Sequence, residues 1–206
     1  MSQEITIIGS ETSPFVRIVR MIAEELDVVY KMDPTSFYVR NTPEQEAHVQ
    51  TNNPLMKIPV LIHDEDTVFE SRVIATYLLK NFKPRNDFRT NFLANVTEDN
   101  ILSTIYGIID SGVLRFVMKN GHPEINMEAG YMARSLTRMH SGLKWLDRQP
   151  VLGKSFGVPE AALICALDWF TKRNVIDWSA YKNLAAVKDK FKSRESVVKT
   201  RIPEDA

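Results

Sequence analysis

Cysteine is almost absent from this sequence, since Cys165 is the only one in 206 residues. A single cysteine excludes an intramolecular disulfide and any Cys-x-x-Cys redox pair, so cytosol is the default compartment. An excess of one charge is lacking too, because 26 basic residues balance 26 acidic ones. A general nucleic-acid or anionic-membrane binder needs a basic excess or a dense basic face, so this balance argues against both classes.

Glycine is also scarce, and the phosphate-binding patterns Gly-x-x-x-x-Gly-Lys and Gly-x-Gly-x-x-Gly do not occur. No stretch approaches the ~18 uninterrupted apolar residues of a membrane span, and residues 1–4 do not resemble a signal peptide. Four scattered histidines lack metal-ligand spacing, namely His48, His63, His122 and His140. We therefore expect a cytoplasmic protein without a metal, a nucleic-acid partner or a membrane partner.

The first 80 residues alternate between strand and helix patterns. The β-branched run at 4–8 predicts a strand, and Ser13-Pro14 then opens a helix as a cap followed by a first-turn proline. A short strand follows at 28–30, and then a polar loop at 33–53 with a short helix over 44–50. The pattern continues with a hairpin at 58–69 and a second helix that begins at Ser71. This order predicts a small α/β sandwich.

No strand pattern appears in the second half of the chain. Apolar residues at helical spacing predict four helices, which run from Phe92 to 121, over 132–146, over 161–170 and over 181–191. The segment 161–170 is apolar on every side except at Asp168, so we expect it to be central and buried, with Cys165 inert in the core. We divide the chain into a domain at 1–80, a linker at 81–88 and an all-α domain at 89–206.

Three short motifs carry the functional argument, and each also has an ordinary structural interpretation. The segment 12–17 places a hydroxyl at a helix N-terminus, which favours an anion, although capping serines are common. A cis bond at Ile58-Pro59 would turn the backbone of Ile58 toward a bound peptide, although most such bonds are trans. Glu70-Ser71 suits an α-amino-acid head group, although simple capping is the alternative.

In this order, the motifs Ser-Pro-Phe-x-Arg, Asn-Pro-x-x-Lys-Ile-Pro-Val-Leu and Glu-Ser-x-x-Ile-x-x-Tyr-Leu resemble the cytosolic glutathione transferases. The second half is similar as well, because 153–161 and the apolar helix after it resemble the family's buried central helix. The resemblance implies an α+β/α fold, with a thioredoxin-like βαβαββα domain followed by an all-α helical bundle. It also implies a homodimer and a cis bond at Ile58-Pro59.

The resemblance further implies the chemistry of a bacterial-type, serine-type enzyme. Ser13 falls where such enzymes place the hydroxyl that stabilises the glutathione thiolate, and Thr12 is a weaker second candidate. The family's electrophile binds between the two domains. Arg115, Phe116 and Tyr106 come from the helix that usually lines this pocket, although helix surface or core is an equally good interpretation of all three.

The same resemblance assigns residues to the rest of the glutathione molecule. Ile58, before the predicted cis Pro59, would pair through its backbone with the cysteinyl part. Glu70 and Ser71 fall on the pair that binds the γ-glutamyl end, and Gln45 in the polar loop is a guess for the glycyl end.

These assignments imply a transferase for detoxification, with glutathione as co-substrate and a small electrophile as the second substrate. Two alternatives remain open. One is a glutathione-binding regulator without catalysis, as in the stringent starvation proteins of this superfamily, and the other is a glutathione-dependent isomerase or dehalogenase. Retention of Ser13, Glu70 and Ser71 favours a working glutathione site over a regulator.

Overall fold

A computed structural model describes residues 4–35, 42–85, 87–90 and 95–204. The chain divides into two compact units, of which one comprises Met1–Thr90 with Arg194–Ala206 and the other comprises Asn91–Ser193. The expected helix start at Phe92 lies outside the described residues.

The first unit is built on a four-stranded mixed sheet. Its strands are β1 (Glu4–Ile8), β2 (Val29–Asp33), β3 (Val60–His63) and β4 (Asp66–Phe69), and its helices are α1 (Pro14–Glu25), α2 (Pro43–Asn52) and α3 (Ser71–Asn81). The strand order is β2-β1-β3-β4. β1 pairs parallel with β2 and antiparallel with β3, and β3 pairs antiparallel with β4. This order of elements is the thioredoxin-like βαβαββα arrangement expected from the sequence.

Local sequence explains where these elements begin. Helix α2 starts earlier than the 44–50 expected, because Thr42 and Gln45 form a capping box in front of it and Pro43 occupies its first turn. The β3–β4 hairpin turns without a glycine, since Asp64 adopts the left-handed region at a φ of 52°. Aspartate tolerates that region better than most residues do.

The second unit contains four helices among its described residues, α4 (Val96–Gly121), α5 (Gly130–Leu146), α6 (Val158–Lys172) and α7 (Lys182–Phe191). Helix α6 is its core, with Cys165 fully buried as expected. Asp168 lies partly exposed on α6 and pairs with Lys188 at 2.6 Å. Helix α4 is long and apolar enough to cross a membrane by length and composition alone. Helix α4 packs against α5 and α6 and buries part of its apolar surface there, including Ile101, Leu102 and Ile105.

The end of the chain departs from the expected domain division. Helix α8 (Glu195–Lys199) was not expected from the sequence, and it packs on α1 within the first unit instead of continuing the helical bundle. The reason is a buried ion pair. Glu25, 1% exposed at the end of α1, accepts hydrogen bonds from the Arg194 guanidinium at 2.7 and 2.6 Å. The Ser196 hydroxyl donates to the same carboxylate.

Exposed charges extend this ion pair at its rim, including two from the expected linker. Arg194 also binds Asp87 at 2.7 and 2.8 Å, and Arg85 binds Asp27 and Glu195. Hydrogen bonds from Arg85 and Arg194 lower the pKa values of Asp27 and Asp87 respectively. Exposed pairs of this kind stabilise proteins little. Among these charged contacts the buried Glu25–Arg194 pair is therefore the one that holds α8 most strongly, beside the buried Val197 and the hydrogen bond from Arg17 to its carbonyl.

Replacing Arg194 by alanine should destabilise the first unit strongly, because Glu25 would be left as a buried carboxylate without its cation. Breaking a buried pair by removing one partner costs about 3–5 kcal/mol. Urea denaturation measures the loss of unfolding free energy, and amide hydrogen exchange measures the release of α8. Lys192→Ala is the control, because its pair with Asp189 is exposed. Equal stability of the two variants would contradict the role given to this pair.

Candidate functional site

The register of the sheet brings three of the sequence motifs to one edge. Ile8, the last residue of β1, lies opposite Val60, the first residue of β3. Val60 in turn lies opposite Phe69, the last residue of β4. The loop after β1, the segment before β3 and the residues after β4 therefore share one edge of the sheet.

Ser13 is the N-cap of α1, as the sequence predicted. Its backbone is extended, and its Oγ accepts from the Val16 amide at 3.4 Å. The side chain is largely enclosed, since the residue is 7% exposed. None of the described residues accepts the proton of this hydroxyl, so Ser13 retains a donor at the positive end of α1. Its assignment to a thiolate stays a prediction.

Thr12 is tied into the same turn. Its Oγ1 lies 2.9 Å from Ser10 Oγ, and its amide donates to Ser10 Oγ at 3.3 Å. The Ser13 amide donates to the Ser10 carbonyl at 3.0 Å. One of the two hydroxyl protons of Ser10 and Thr12 is used between them, which leaves Ser13 as the better placed donor.

Gly9 brings the start of α1 close to the segment before β3, a role that was not predicted from the sequence. Its φ is 153°, and a Cβ there would lie 2.5 Å from Val16 Cγ2 and 3.3 Å from Ile58 Cβ. A larger residue would therefore separate the helix N-terminus from Ile58. A glycine that ends a strand and precedes a serine-capped helix was the available signal.

The peptide bond Ile58–Pro59 is cis, which confirms the prediction. Ile58 is half-buried and packs against a small core of Ile8, Val49 and Val60. Its pairing with a bound peptide stays a prediction.

Asn53 organises the loop in front of this bond, and its role was also missed. The residue is fully buried, its Nδ2 donates to the Lys57 carbonyl at 2.8 Å, and its Oδ1 accepts from the Leu55 amide at 3.0 Å. The Met56 amide donates to the Asn53 carbonyl at 2.8 Å. Asn53 thus fixes both ends of a tight turn that leads into Ile58. An asparagine before proline, followed by an apolar strand, was the signal in the sequence.

Glu70 and Ser71 stand at the start of α3, and the ordinary capping interpretation of Ser71 is wrong. Glu70 occupies the N-cap, Ser71 is the first helical residue, and the helix has no side-chain cap. Glu70 is exposed at a φ of 68°, whereas Ser71 is buried. A non-glycine residue in such a conformation costs about 1–3 kcal/mol, and such residues cluster at ligand-binding sites. Their binding of a γ-glutamyl group stays a prediction.

Gln45 has a structural use in α2. Its Oε1 accepts from the Thr42 amide at 3.0 Å, and its own amide donates to Thr42 Oγ1 at 3.3 Å. It lies one helical turn before Val49, which packs with Ile8 and Val60 at the same sheet edge. The capping box occupies the carboxamide oxygen and leaves its amino group as the donor for a ligand. Its assignment to the glycyl end stays a prediction.

The second unit has a cavity of its own, with a volume of about 340 Å³. Arg115 and Phe116 line it, whereas Tyr106 is not among the lining residues. Over the parts of the chain that the structure describes, no three histidine, cysteine, aspartate or glutamate side chains are grouped to hold a metal ion.

Known proteins with similar sequences and folds are glutathione transferases or related to them. The profile of the glutathione S-transferase N-terminal domain matches residues 7–86. The uncharacterized GST-like protein YibF of Escherichia coli is 26% identical over 206 residues, covering 96% of this chain and 98% of YibF. A probable glutathione S-transferase of Glycine max is 27% identical over 172 residues, covering 81% of this chain and 72% of that protein.

Solved structures agree over nearly the whole chain. A glutathione S-transferase of Methylobacillus flagellatus, solved with GSH bound, has a TM-score of 0.81 at 27% identity and covers 97% of this chain and 100% of its own. A glutathione transferase family member of Pseudomonas fluorescens, solved with glutathione, has a TM-score of 0.83 at 24% identity, with coverages of 97% and 99%, and supports the fold alone. Residues 7–86 thus match the glutathione S-transferase N-terminal domain, and the chain is similar to glutathione transferases over nearly its whole length.

Replacing Asn53 by alanine should destabilise the first unit, because the Lys57 carbonyl and the Leu55 amide lose their partner. Both hydrogen bonds are partly buried, and the loss of two such bonds costs about 1–3 kcal/mol in total. Urea denaturation checks this value. Asn52→Ala is the matched control, since the neighbouring Asn52 donates only to the exposed His48 carbonyl at 2.9 Å. A loss no larger for Asn53→Ala than for Asn52→Ala would contradict the role assigned to Asn53.

Proposed function

We propose that this protein is a glutathione transferase that activates the glutathione thiol for attack on a small electrophile. The observation that carries the proposal is Ser13, a largely buried serine that caps α1 and keeps a hydroxyl proton available beside the helix N-terminus. Relatives of similar fold solved with glutathione support the choice of co-substrate. We place the reaction in the cytoplasm.

Two groups at the start of α1 act on the thiol. The helix N-terminus carries about half a positive charge, and its free N–H groups favour an anion. The Ser13 hydroxyl donates one further hydrogen bond to the sulfur. Both favour the thiolate over the thiol and so lower the thiol pKa, which raises the fraction of nucleophile near neutral pH. The thiolate then forms a bond from sulfur to the electrophilic carbon, and the leaving group departs with its electron pair.

The rest of the peptide is held at the sheet edge. The Ile58 backbone pairs with the cysteinyl residue as an added strand does, in a position fixed by Asn53 and Gly9. The Glu70 carboxylate binds the γ-glutamyl ammonium, and Ser71 at the N-terminus of α3 binds the carboxylate beside it. The amino group of Gln45 is assigned to the glycyl end.

Replacing Ser13 by alanine should raise the pKa of enzyme-bound glutathione and leave its affinity nearly unchanged. A hydrogen bond to a charged group contributes about 1.5–3 kcal/mol, and one pKa unit corresponds to about 1.4 kcal/mol. The expected shift is therefore about one to two units, less where the helix N-terminus compensates. Titration of the thiolate absorbance in the complex measures it.

Loss of the cap alone should lower stability by about 1 kcal/mol, so thermal melting is recorded on the same variant. Thr12→Val is the control, because it keeps the shape of the side chain and removes only the hydroxyl paired with Ser10. An alanine variant of Ser13 that melts lower yet titrates like wild type would reduce Ser13 to a cap.

Glu70→Gln and Ser71→Ala should weaken glutathione binding more than they slow the chemical step. The two residues contact the γ-glutamyl end equally in the ground state and the transition state, so their loss raises KM with little change in kcat. Steady-state kinetics and calorimetry with glutathione measure the two effects. Wild-type affinity in both variants would place the γ-glutamyl end elsewhere.

We also propose that the protein is a homodimer, as the superfamily resemblance implies. Leu55 and Val73 of the first unit are 57% and 55% exposed, and large exposed apolar side chains suit a surface that a second copy covers. Light scattering at micromolar concentration should give twice the chain mass of 23.6 kDa. Val73→Asp should lower that mass toward a monomer, and a monomeric wild type would refute the assignment.

A further inference from the structure

The cavity of the second unit combines basic side chains with an apolar wall. It lies where the last turns of α4 meet the residues after α6, and we call it the α4–α6 cavity. Arg115, Lys119 and Arg173 line it together with one carboxylate, Glu128. Phe116, Met127 and Val175 provide the wall. A volume of about 340 Å³ lies at the lower end of ligand pockets and suits one small molecule.

The charges of the cavity do not cancel. Three cations face one carboxylate, and none of the three forms an ion pair with a carboxylate among the residues that the structure describes. The C-terminal ends of α4 and α6 each contribute about half a negative charge. The sum remains positive by about one charge, although the whole chain has a formal net charge of zero. A bound monoanion would neutralise this remaining positive charge.

Arg115 is fixed in place without being neutralised. Its Nη1 donates to the Met132 carbonyl at 2.5 Å and lies within 3.4 Å of the Met127 carbonyl and 3.5 Å of Ser135 Oγ. All three acceptors are uncharged, and Ser135 is itself buried and bonded to the Met132 carbonyl at 2.7 Å. The guanidinium is therefore oriented by neutral groups and keeps its full charge for a ligand.

Arg173 is positioned against an aromatic wall. Its guanidinium carbon lies 5.5 Å from the centroid of the Phe116 ring. Phe116 packs edge to face on Trp169, with the centroids 5.6 Å apart and the planes at 70°. A planar guanidinium binds a carboxylate through two parallel hydrogen bonds. An aryl group against Phe116 would place its own carboxylate within reach of Arg173.

We propose that the α4–α6 cavity binds a small aryl carboxylate or similar organic monoanion. Arg173 and Lys119 bind the anionic group, and Phe116 contacts the ring. Arg115 adds a fixed positive charge beside them.

Direct binding tests the cavity without any turnover. The probes are 4-methylbenzoate and its uncharged methyl ester, each measured by calorimetry on the full chain. A hydrogen bond to a charged group is strong enough that the carboxylate should bind about tenfold more tightly than the ester. Arg173→Met should remove most of this difference, and Lys119→Met part of it. Lys144→Met, an exposed lysine of α5 outside the cavity, should leave it unchanged.

Equal affinity for the two probes overturns the proposal. Carboxylate binding that Arg173→Met and Lys119→Met leave unaltered also overturns it, because the anion would then bind elsewhere. One alternative binding site for the carboxylate is the proposed glutathione site. Competition tests this alternative, because added glutathione would displace a carboxylate bound there. Thermal melting of each variant verifies that it is folded, and Arg173→Lys, which keeps a cation without the planar fork, should show an intermediate loss.

Discussion

The ion pair between Glu25 and Arg194 constrains the whole first unit. A carboxylate that is 1% exposed is tolerated only with a cation and further hydrogen bonds, which Arg194 and Ser196 supply. The chain therefore has to return to α1 after the helical unit. Helix α1 is fixed at its C-terminal end by this pair and presents Ser13 at the other end. The helix that presents the proposed catalytic hydroxyl is thus held at its other end by a residue more than a hundred positions away in the sequence.

The proposed peptide site at the sheet edge depends on strand register and on two residues that shape the adjoining loops. Pairing of Ile8 with Val60, and of Val60 with Phe69, aligns three loops. Gly9 permits close approach of α1, and Asn53 shapes the turn before the cis bond. These residues supply no chemistry of their own in the proposed reaction. They set the distances between the groups that do, and catalysis depends on such positioning.

Features carried by short segments could be predicted from the sequence, and features carried by distant partners could not. The Ser13 cap follows from serine before proline at the end of a strand, and the cis bond followed from the family motif. A capping role for Ser71 was wrong, because Glu70 is the N-cap of α3. Glu70 adopts a positive φ there, which is uncommon for a glutamate and cannot be predicted from its residue type. Helix α8 has only five residues, so its periodicity is too short to detect, and its partner Glu25 looks like any helical glutamate.

The return of residue 194 to α1 has a consequence for biosynthesis. A ribosome releases the chain from its first residue onward, so Glu25 emerges long before the arginine that neutralises it. Until then the amino-terminal unit carries an acidic group that cannot be enclosed without a large penalty. The enclosure of Glu25 therefore waits until Arg194 has been synthesised, and a product that ended before residue 194 would lack the cation of this pair. The salt bridge thereby makes the integrity of the first unit depend on synthesis of the chain through residue 194.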